Sequence, residues 1–249
     1  FYLLYNEFGE STDALKEAFS QLNGQQFDDI ILDLRYNPGG YVNTSQQLCS
    51  ALAPATAMGQ PFLHMTYNDK INKTETLNFE SSPLTGGASL SYQNLYVLTS
   101  GNTASASEIV INCLKPYMEG RLYQVGAATF GKNVAQQLFT NAEAPGIELW
   151  LTTTYLSNSQ GYYDYFKEGL LPDFEIEENY GAELGDFGSA EDQLMQPVLY
   201  RMENGSFPVV TNPDESEDAT TLSRSRTSKH VQLLVDPIAQ KPHYNRIKR

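Results

Sequence analysis

Cysteine and histidine are scarce in this sequence, and their scarcity excludes several kinds of site. The 249 residues include two cysteines, Cys49 and Cys113, and neither belongs to a CxxC pair. Two cysteines cannot form the framework of a disulfide-rich domain. Because both lie in apolar, helix-like stretches, we expect two buried thiols. The histidines, His64, His230 and His243, lie outside any HExxH motif and away from a cysteine pair, so no metal site and no cofactor are predicted.

Basic residues and long apolar runs are also few. The chain has 16 Lys and Arg against 30 Asp and Glu, a net charge of -14. This balance argues against nucleic acid as a partner, because phosphate recognition needs clustered basic residues. No apolar run reaches the roughly 18 residues of a transmembrane helix, so no membrane span is predicted. The expected partner is therefore a peptide, a protein or a small molecule.

The charge is distributed unevenly along the chain. Residues 1–204 contain 9 basic and 25 acidic residues, whereas residues 205–249 contain 7 and 5. Ser, Thr, Pro, Asp and Arg are frequent in the second part. We therefore predict one folded domain over residues 1–204 and a largely flexible C-terminal extension over residues 205–249, in which residues 231–235 could add a strand.

The motifs of several well-known enzyme classes are missing. The sequence has no GxSxG motif of the α/β-hydrolases, and no serine followed three residues later by lysine as in the β-lactamases. The nucleotide-binding loops GxxxxGKS/T and GxGxxG are absent as well. Asp and Glu are scattered, and no two of them stand out as the acid and base of a glycosidase.

Apolar runs alternate with amphipathic segments, and this order predicts the fold class. The runs at residues 1–5, 30–32, 95–99 and 122–125 predict buried strands, and residues 62–78, 134–139 and 147–155 predict further strands or hairpins. Helices are predicted at residues 11–22, around Leu48 and Leu52, at residues 104–117, and from a capping box at Ser189 and Asp192 to residue 202. The prediction is an α/β fold whose sheet is rich in parallel pairs and has helices packed on it.

Three polar turns are the candidates for chemistry. TASASE at residues 103–108 lies between a strand and a helix, where helical N–H groups lack partners and the helix dipole is positive. A serine in such a turn can act as a nucleophile whose oxyanion is held by backbone amides, although a Ser/Thr cluster there is more often an N-cap. Gly39 and Gly40 follow another strand and expose N–H groups that could serve as a second donor, although a plain tight turn explains them about as well. Lys132, after Gly131, can serve as a base if burial lowers its pKa, whereas the usual lysine is solvated at the surface.

Together, the three segments resemble the C-terminal processing proteases, also called tail-specific proteases. DLRYNPGG at residues 33–40, TASASE at residues 103–108 and TFGKNVAQ at residues 129–136 follow one another in the order and with about the separations of that family. GLLPD at residues 169–173 and DQL at residues 192–194 resemble its later segments, so the resemblance covers roughly residues 1–204. It implies a crotonase/Clp-like α/β core.

The resemblance also implies roles for individual residues. It implies a serine endopeptidase that cuts peptide bonds near protein C-termini by a Ser-Lys dyad and an acyl-enzyme. Ser105 would be the nucleophile and Lys132 the general base, and Gln136 would orient the lysine amine. The backbone N–H groups implied for the oxyanion hole belong to Ala106 and to Gly39 or Gly40.

Four neighbouring residues receive other roles. Ser107 is the nearest competitor of Ser105 for the role of nucleophile. Glu108 is expected to be structural, favoured by the positive end of the helix dipole. Arg35 and Asn37 are expected to stabilise their turn and not to touch the substrate.

Partner and location follow from the resemblance alone. It implies a protein or peptide substrate with an apolar C-terminus, and work in the periplasm or bacterial cell envelope. Family members usually carry a PDZ domain ahead of this core, and we expect that domain to be absent from the chain, which begins at about the first core strand. Retinoid-binding repeats resemble the same family, so the alternative function is a non-catalytic ligand- or peptide-binding module on this fold. The oligomeric state is not predicted.

Overall fold

The computed structural model of the chain describes residues 1–22, 25–141 and 143–209, and these residues contain nine strands and four α-helices. The strands are β1 (Tyr2–Leu4), β2 (Asp29–Asp33), β3 (Pro61–Tyr67), β4 (Thr74–Asn78), β5 (Asn94–Thr99), β6 (Leu122–Gly126), β7 (Val134–Thr140), β8 (Glu148–Ser157) and β9 (Phe174–Glu175). The helices are α1 (Asp13–Ser20), α2 (Val42–Leu52), α3 (Ala106–Leu114) and α4 (Met195–Asn204). Single 3₁₀ turns lie at Ala55–Ala57, Pro83–Thr85 and Lys115–Tyr117.

The larger sheet is parallel throughout, with the strand order β1-β2-β5-β6-β9. Its central strands are short apolar runs, as expected for a parallel sheet whose two faces are both covered. In β2, Ile30 and Leu32 belong to the main core, whereas Ile31 packs with Tyr96 and Leu98 in a second cluster on the opposite face. Successive side chains of a strand point to opposite faces, which explains this division. The predicted α/β fold with a parallel-rich sheet is confirmed.

Helices cover the two faces of the parallel sheet. Residues of α1, α2 and α3 join the main core on one face, and α4 contributes Met195 and Val198 to the second cluster on the other. Each such fully buried aliphatic side chain contributes about 1.5–3 kcal/mol. Cys49 in α2 and Cys113 in α3 are buried free thiols, as predicted, and burial raises the pKa of both.

The smaller sheet is antiparallel, with the strand order β4-β3-β8-β7. Its strands agree with the hairpin predicted at residues 62–78 and with the strands predicted at residues 134–139 and 147–155. In the pairing of β7 with β8, the register shifts between Ala135 and Gln136. Ala135 lies opposite Thr154, whereas Gln136 lies opposite Thr152. Such a bulge bends a strand and redirects its side chains. The extra residue, Thr153, lies on β8 opposite the step from Ala135 to Gln136, and Gln136 is one of the predicted site residues.

The predicted start of the last helix is wrong. The structure has turns around Ser189, and α4 begins at Met195. Asp192 does accept from a backbone N–H near the helix, that of Leu194 (3.0 Å), but its carboxylate also binds a buried arginine far away in sequence. The local pattern of Ser189 and Asp192 therefore reflects a tertiary contact and not a capping box.

The predicted domain boundary at residue 204 coincides with the end of α4. Beyond it, the ring of Phe207 still packs on Tyr123 and Phe174, with centroid distances of 5.9 and 5.1 Å. The rest of the predicted extension, including the possible strand at residues 231–235, lies outside the described residues. In the part of the chain that is described, no helix is long and apolar enough to cross a membrane.

Candidate active site

The three predicted turns meet at one edge of the parallel sheet. The segment that carries Gly39 and Gly40 follows β2, the segment that carries Ser105 follows β5, and the segment that carries Lys132 follows β6. These strands are parallel neighbours, so their carboxyl ends lie side by side. In open α/β sheets this edge is where ligands bind.

Ser105 occupies a strained turn at the start of α3. Its backbone has φ 57° and ψ -114°, a region that residues other than glycine rarely adopt. Strain of this kind persists only where the surroundings impose it, and it is concentrated at functional sites. A strained turn between a strand and a helix presents a serine hydroxyl in the manner of a nucleophile elbow. The next residue, Ala106, is the first of the helix, and its N–H has no carbonyl partner within the helix.

Gly39 and Gly40 bring a second stretch of backbone against this turn. Gly39 has φ 103°, and a Cβ there would lie 2.7 Å from the Ser105 Cβ and 2.8 Å from the Ala106 nitrogen. Gly40 has φ 140°, and a Cβ there would lie 2.1 Å from the carbonyl oxygen of Phe8. Both positions therefore require glycine, for contact as well as for conformation. The N–H of Gly39 donates to Asn37 Oδ1 (2.9 Å).

Glu108 joins the serine turn to the lysine turn. Its side chain is fully buried and accepts four hydrogen bonds. Oε2 accepts from the N–H of Ser105 (2.7 Å) and of Lys132 (2.8 Å), and Oε1 accepts from Thr129 Oγ1 (2.6 Å) and the N–H of Gly131 (2.6 Å). The backbone nitrogens of Ser105 and Lys132 thus lie within two hydrogen-bond lengths of each other, around one carboxylate oxygen. Burial raises the pKa of Glu108, and the four hydrogen bonds that it accepts lower it. The effect of burial is the larger, so the pKa lies above its ordinary value.

Lys132 has the electrostatic environment that a lysine base needs. Burial lowers the pKa of its ammonium group from the ordinary value, and the nearby negative charge of Glu108 offsets part of this effect. A lowered pKa increases the fraction of the neutral amine, which is the form that can accept a proton. The preceding residue, Gly131, has φ 91° and packs with its backbone against that of Tyr165 and Phe166.

A small pocket opens beside Ser105. Its lining consists of Ser105, Gly40 and Gln136 together with four apolar residues, Val42, Val134, Ala135 and Leu156. Gln136 therefore lines the same pocket as Ser105 and Gly40. A larger cleft of about 830 Å³ lies at the far end of α3, around Asn112 and Lys115. That cleft includes no residue of the three turns.

The other residues singled out in the sequence have structural contacts. Ser107 is buried, and its Oγ donates to the carbonyl oxygen of Asn37 (2.9 Å), so its hydroxyl holds the neighbouring turn. Asn37 and Arg35 are buried as well, and they stabilise their turn as expected. The sequence predicts Glu108 at the helix start but does not reveal its bonds to Gly131 and Lys132. The signal that was available is its position three residues after Ser105, since its carboxylate accepts from the N-cap N–H as in a capping box.

Metal ligands are not clustered at this site. Among the described residues, no group of three or more His, Cys, Asp or Glu side chains is arranged to hold a metal ion. The groups at this edge that can take part in chemistry are the Ser105 hydroxyl, the Lys132 amine, whose pKa is lowered, and backbone N–H groups.

Comparison with known proteins gives consistent matches. A model of peptidase family S41 matches residues 1–176. The carboxyl-terminal-processing protease of Synechocystis sp. is 31% identical over 207 residues, which cover 82% of this chain and 44% of that protein. The carboxy-terminal processing protease CtpB of Bacillus subtilis is 26% identical over 207 residues, covering 82% of this chain and 38% of CtpB. The chain thus spans less than half the length of these two relatives.

Solved structures share the fold. An S41 protease from Bacteroides fragilis superposes with a TM-score of 0.71 and 33% identity, covering 82% of this chain and 54% of that one. The photosystem II D1 C-terminal processing protease superposes with a TM-score of 0.54 and 25% identity, covering 71% of this chain and 42% of that one.

Proposed function

The chain belongs to peptidase family S41, and from this premise we propose that it is a serine endopeptidase of the C-terminal processing type, with Ser105 as nucleophile and Lys132 as general base. The observation that carries the proposal is the Glu108 carboxylate, which binds the backbone N–H of both residues. This contact joins a strained serine turn to a lysine whose pKa is lowered. A serine hydroxyl and a neighbouring lysine amine with a lowered pKa are a pair that can carry out nucleophilic catalysis without histidine.

The proposed reaction is acyl transfer in two halves. Neutral Lys132 removes the Ser105 proton while Oγ attacks the carbonyl carbon of the scissile peptide bond. The resulting ammonium group then protonates the departing amine, and an ester forms on Ser105. In the second half, Lys132 removes a proton from water while the water attacks the ester, and Lys132 then returns that proton to Ser105 Oγ as the new carboxyl end of the substrate leaves. Gln136, on the same pocket, is proposed to orient the lysine amine.

Backbone N–H groups are proposed to hold the oxyanion. Ala106 supplies the first, at the positive end of α3. Gly39 and Gly40 were open alternatives for the second. The N–H of Gly39 donates to Asn37 Oδ1. We favour Gly40 because it lines the pocket with Ser105.

The substrate is proposed to be a protein or peptide with an apolar C-terminus. Support for processing at the C-terminus comes from the names of the relatives, which are carboxyl-terminal-processing proteases. Work in the periplasm or bacterial cell envelope is part of the same proposal, and cell fractionation with an antibody against the protein tests it. Recovery only in the cytosolic fraction would contradict that location.

Covalent labelling tests the proposed function against a non-catalytic binding module. The purified protein is incubated with a fluorophosphonate at alkaline pH, and the labelled peptide is identified by mass spectrometry. We expect one adduct per chain, on Ser105. Absence of any adduct on a protein that circular dichroism shows to be folded would favour the binding module. An adduct on Ser107 would show that Ser107, and not Ser105, is the nucleophile.

The lowered pKa of Lys132 predicts the pH dependence of activity. The base must be neutral, so kcat/KM is expected to rise with pH as one proton is lost. Because burial lowers this pKa, the midpoint should lie below the ordinary lysine value of about 10.4. The measurement is kcat/KM for a peptide substrate across pH, with circular dichroism at each pH to confirm that the protein stays folded. A midpoint at or above the ordinary value would contradict the assignment of Lys132 as a buried base.

The apolar pocket predicts a preference for a small side chain before the cleaved bond. Val134→Phe is expected to fill the pocket. It should lower kcat/KM about tenfold more for a substrate peptide with valine before the cleaved bond than for one with alanine there. The two peptides differ only in that residue. Val209→Phe is the matched control, because Val209 is 87% exposed, and it should leave the ratio unchanged. An unchanged ratio in Val134→Phe would show that this pocket does not receive the side chain.

A further inference from the structure

Arg35 lies at the centre of a buried cluster of charges. Its side chain is 1% exposed and forms ion pairs with three carboxylates. Asp192 binds it in bidentate fashion, with Nη1 to Oδ1 at 3.0 Å and Nη2 to Oδ2 at 2.7 Å. Asp33 accepts from Nε (3.0 Å) and Glu178 accepts from Nη1 (2.9 Å). The planar guanidinium group of a buried arginine, bound in bidentate fashion by a carboxylate, is held in a more definite position than the side chains of a surface ion pair.

The arginine of this cluster lies in the turn that carries the proposed oxyanion donor. Arg35 is five residues before Gly40. On the serine side, the carbonyl oxygen of Asn37 in this turn accepts from the N–H of Ala104 (3.1 Å) and from Ser107 Oγ (2.9 Å). The turn is therefore attached to the Ser105 segment at one side and, through Arg35, to the three carboxylates at the other.

Two of the three carboxylates come from a distant part of the chain. Glu178 and Asp192 lie beyond residues 1–176, the part that the family model matches. Glu178 also accepts from Tyr36 Oη (2.6 Å), and the ring of Phe187 lies 6.0 Å from that of Tyr36. Asp192 accepts in addition from the N–H of Gly188 (3.0 Å). The segment between β9 and α4 thus surrounds the side chains of the turn.

We propose that Glu178 and Asp192 are positioning residues for the peptidase reaction, which act through Arg35 and Tyr36 to hold the turn of Gly40 against the Ser105 turn. The proposal rests on the proposed function. Neither residue touches the pocket beside Ser105, so neither is expected to contact substrate. Their effect should fall on the transition state, because an oxyanion donor acts only where it meets the developing charge.

Asp192→Asn is the principal test. Asparagine has nearly the same shape, but its amide presents a donor where Arg35 also donates, so one bond of the bidentate pair is lost. We expect kcat to fall at least about tenfold and KM to stay within about twofold. Glu178→Gln should show the same direction with a smaller loss. Glu191→Gln and Glu177→Gln are matched controls, because these carboxylates are exposed neighbours of the two residues, and both should retain the wild-type kcat.

A count of active sites separates positioning from a loss of folded protein. Each variant is labelled to completion with the fluorophosphonate, and kcat is expressed per labelled site. A kcat per labelled site for Asp192→Asn within about twofold of Glu191→Gln would overturn the proposal. If Asp192→Asn does not fold, Glu178→Gln provides the test, since Arg35 keeps Asp33 and Asp192, and an unchanged kcat there would overturn the proposal equally.

Failure of the two proposals can be told apart. A folded wild-type protein without labelling or cleavage would contradict the peptidase function itself. An active wild-type protein whose Asp192→Asn and Glu178→Gln variants keep the wild-type kcat per site would contradict only the positioning role.

Discussion

Ser105→Ala is expected to lower kcat/KM by about 10⁴-fold or more, because acyl transfer has no nucleophile without the hydroxyl. Lys132→Met should cause a loss of the same order, since methionine keeps most of the apolar stem of the side chain and removes the amine. The two residues act as a unit, so the double variant should be no less active than either single variant. The measurement is cleavage of a peptide with an apolar C-terminal residue, followed by separation of the products.

Control variants separate these losses from misfolding. Ser107→Ala removes a hydroxyl that donates to Asn37, so it should cost about 1 kcal/mol of stability while activity persists. Lys167→Met removes an exposed lysine and should be neutral. If Ser105→Ala and Lys132→Met both cleave at the wild-type rate, Ser105 and Lys132 are not the dyad.

Glu108→Gln is expected to reduce both activity and stability. All four contacts of the carboxylate are donors, and an ionised carboxylate is an acceptor only. A glutamine would direct its NH₂ group at two of these donors, either those on Oε1 or those on Oε2. Leaving buried donors unpaired costs about 1–3 kcal/mol each, so the free energy of unfolding should fall by about 3 kcal/mol. The turns of Ser105 and Lys132 would separate, and kcat/KM should fall about 100-fold or more.

Denaturant unfolding and peptide cleavage measure the two effects of Glu108→Gln. Glu119→Gln is the control, because Glu119 is an exposed carboxylate shortly after α3, and it should leave both quantities unchanged. Unfolded protein would also lower the rate. The cleavage assay is therefore run without denaturant, at a temperature where the variant is fully folded. A variant that keeps wild-type stability and activity would show that the Glu108 carboxylate does not join the two turns functionally.

The parallel sheet and the position of the site were predictable from local patterns. The apolar runs of β2, β5 and β6 are bounded by polar turns, which predicts buried strands whose carboxyl ends meet. The turns around Gly40, Ser105 and Lys132 follow those strands, and this is why the sequence places them together.

Contacts between distant segments were not predictable from those patterns. Glu108 binds Gly131 and Lys132, which are 23 and 24 residues away, and Arg35 binds Asp192, which is 157 residues away. Asp192 shows how the local pattern fails: its distance from Ser189 suggests a capping box, yet its carboxylate binds Arg35 and α4 begins later. The bulge in β8 opposite Gln136 depends on the pairing of two strands, which alternation within one strand does not encode.

Trapping of the acyl-enzyme tests the central claim most directly. The purified protein is mixed with an activated ester of a short apolar peptide, quenched with acid within the first turnover, digested and analysed by mass spectrometry. The account predicts that the peptide containing Ser105 gains the mass of the acyl group, and that Lys132→Met shows no such gain. Release of product with no acylated peptide in the quenched wild-type protein, or with the acyl group on another residue, would contradict it.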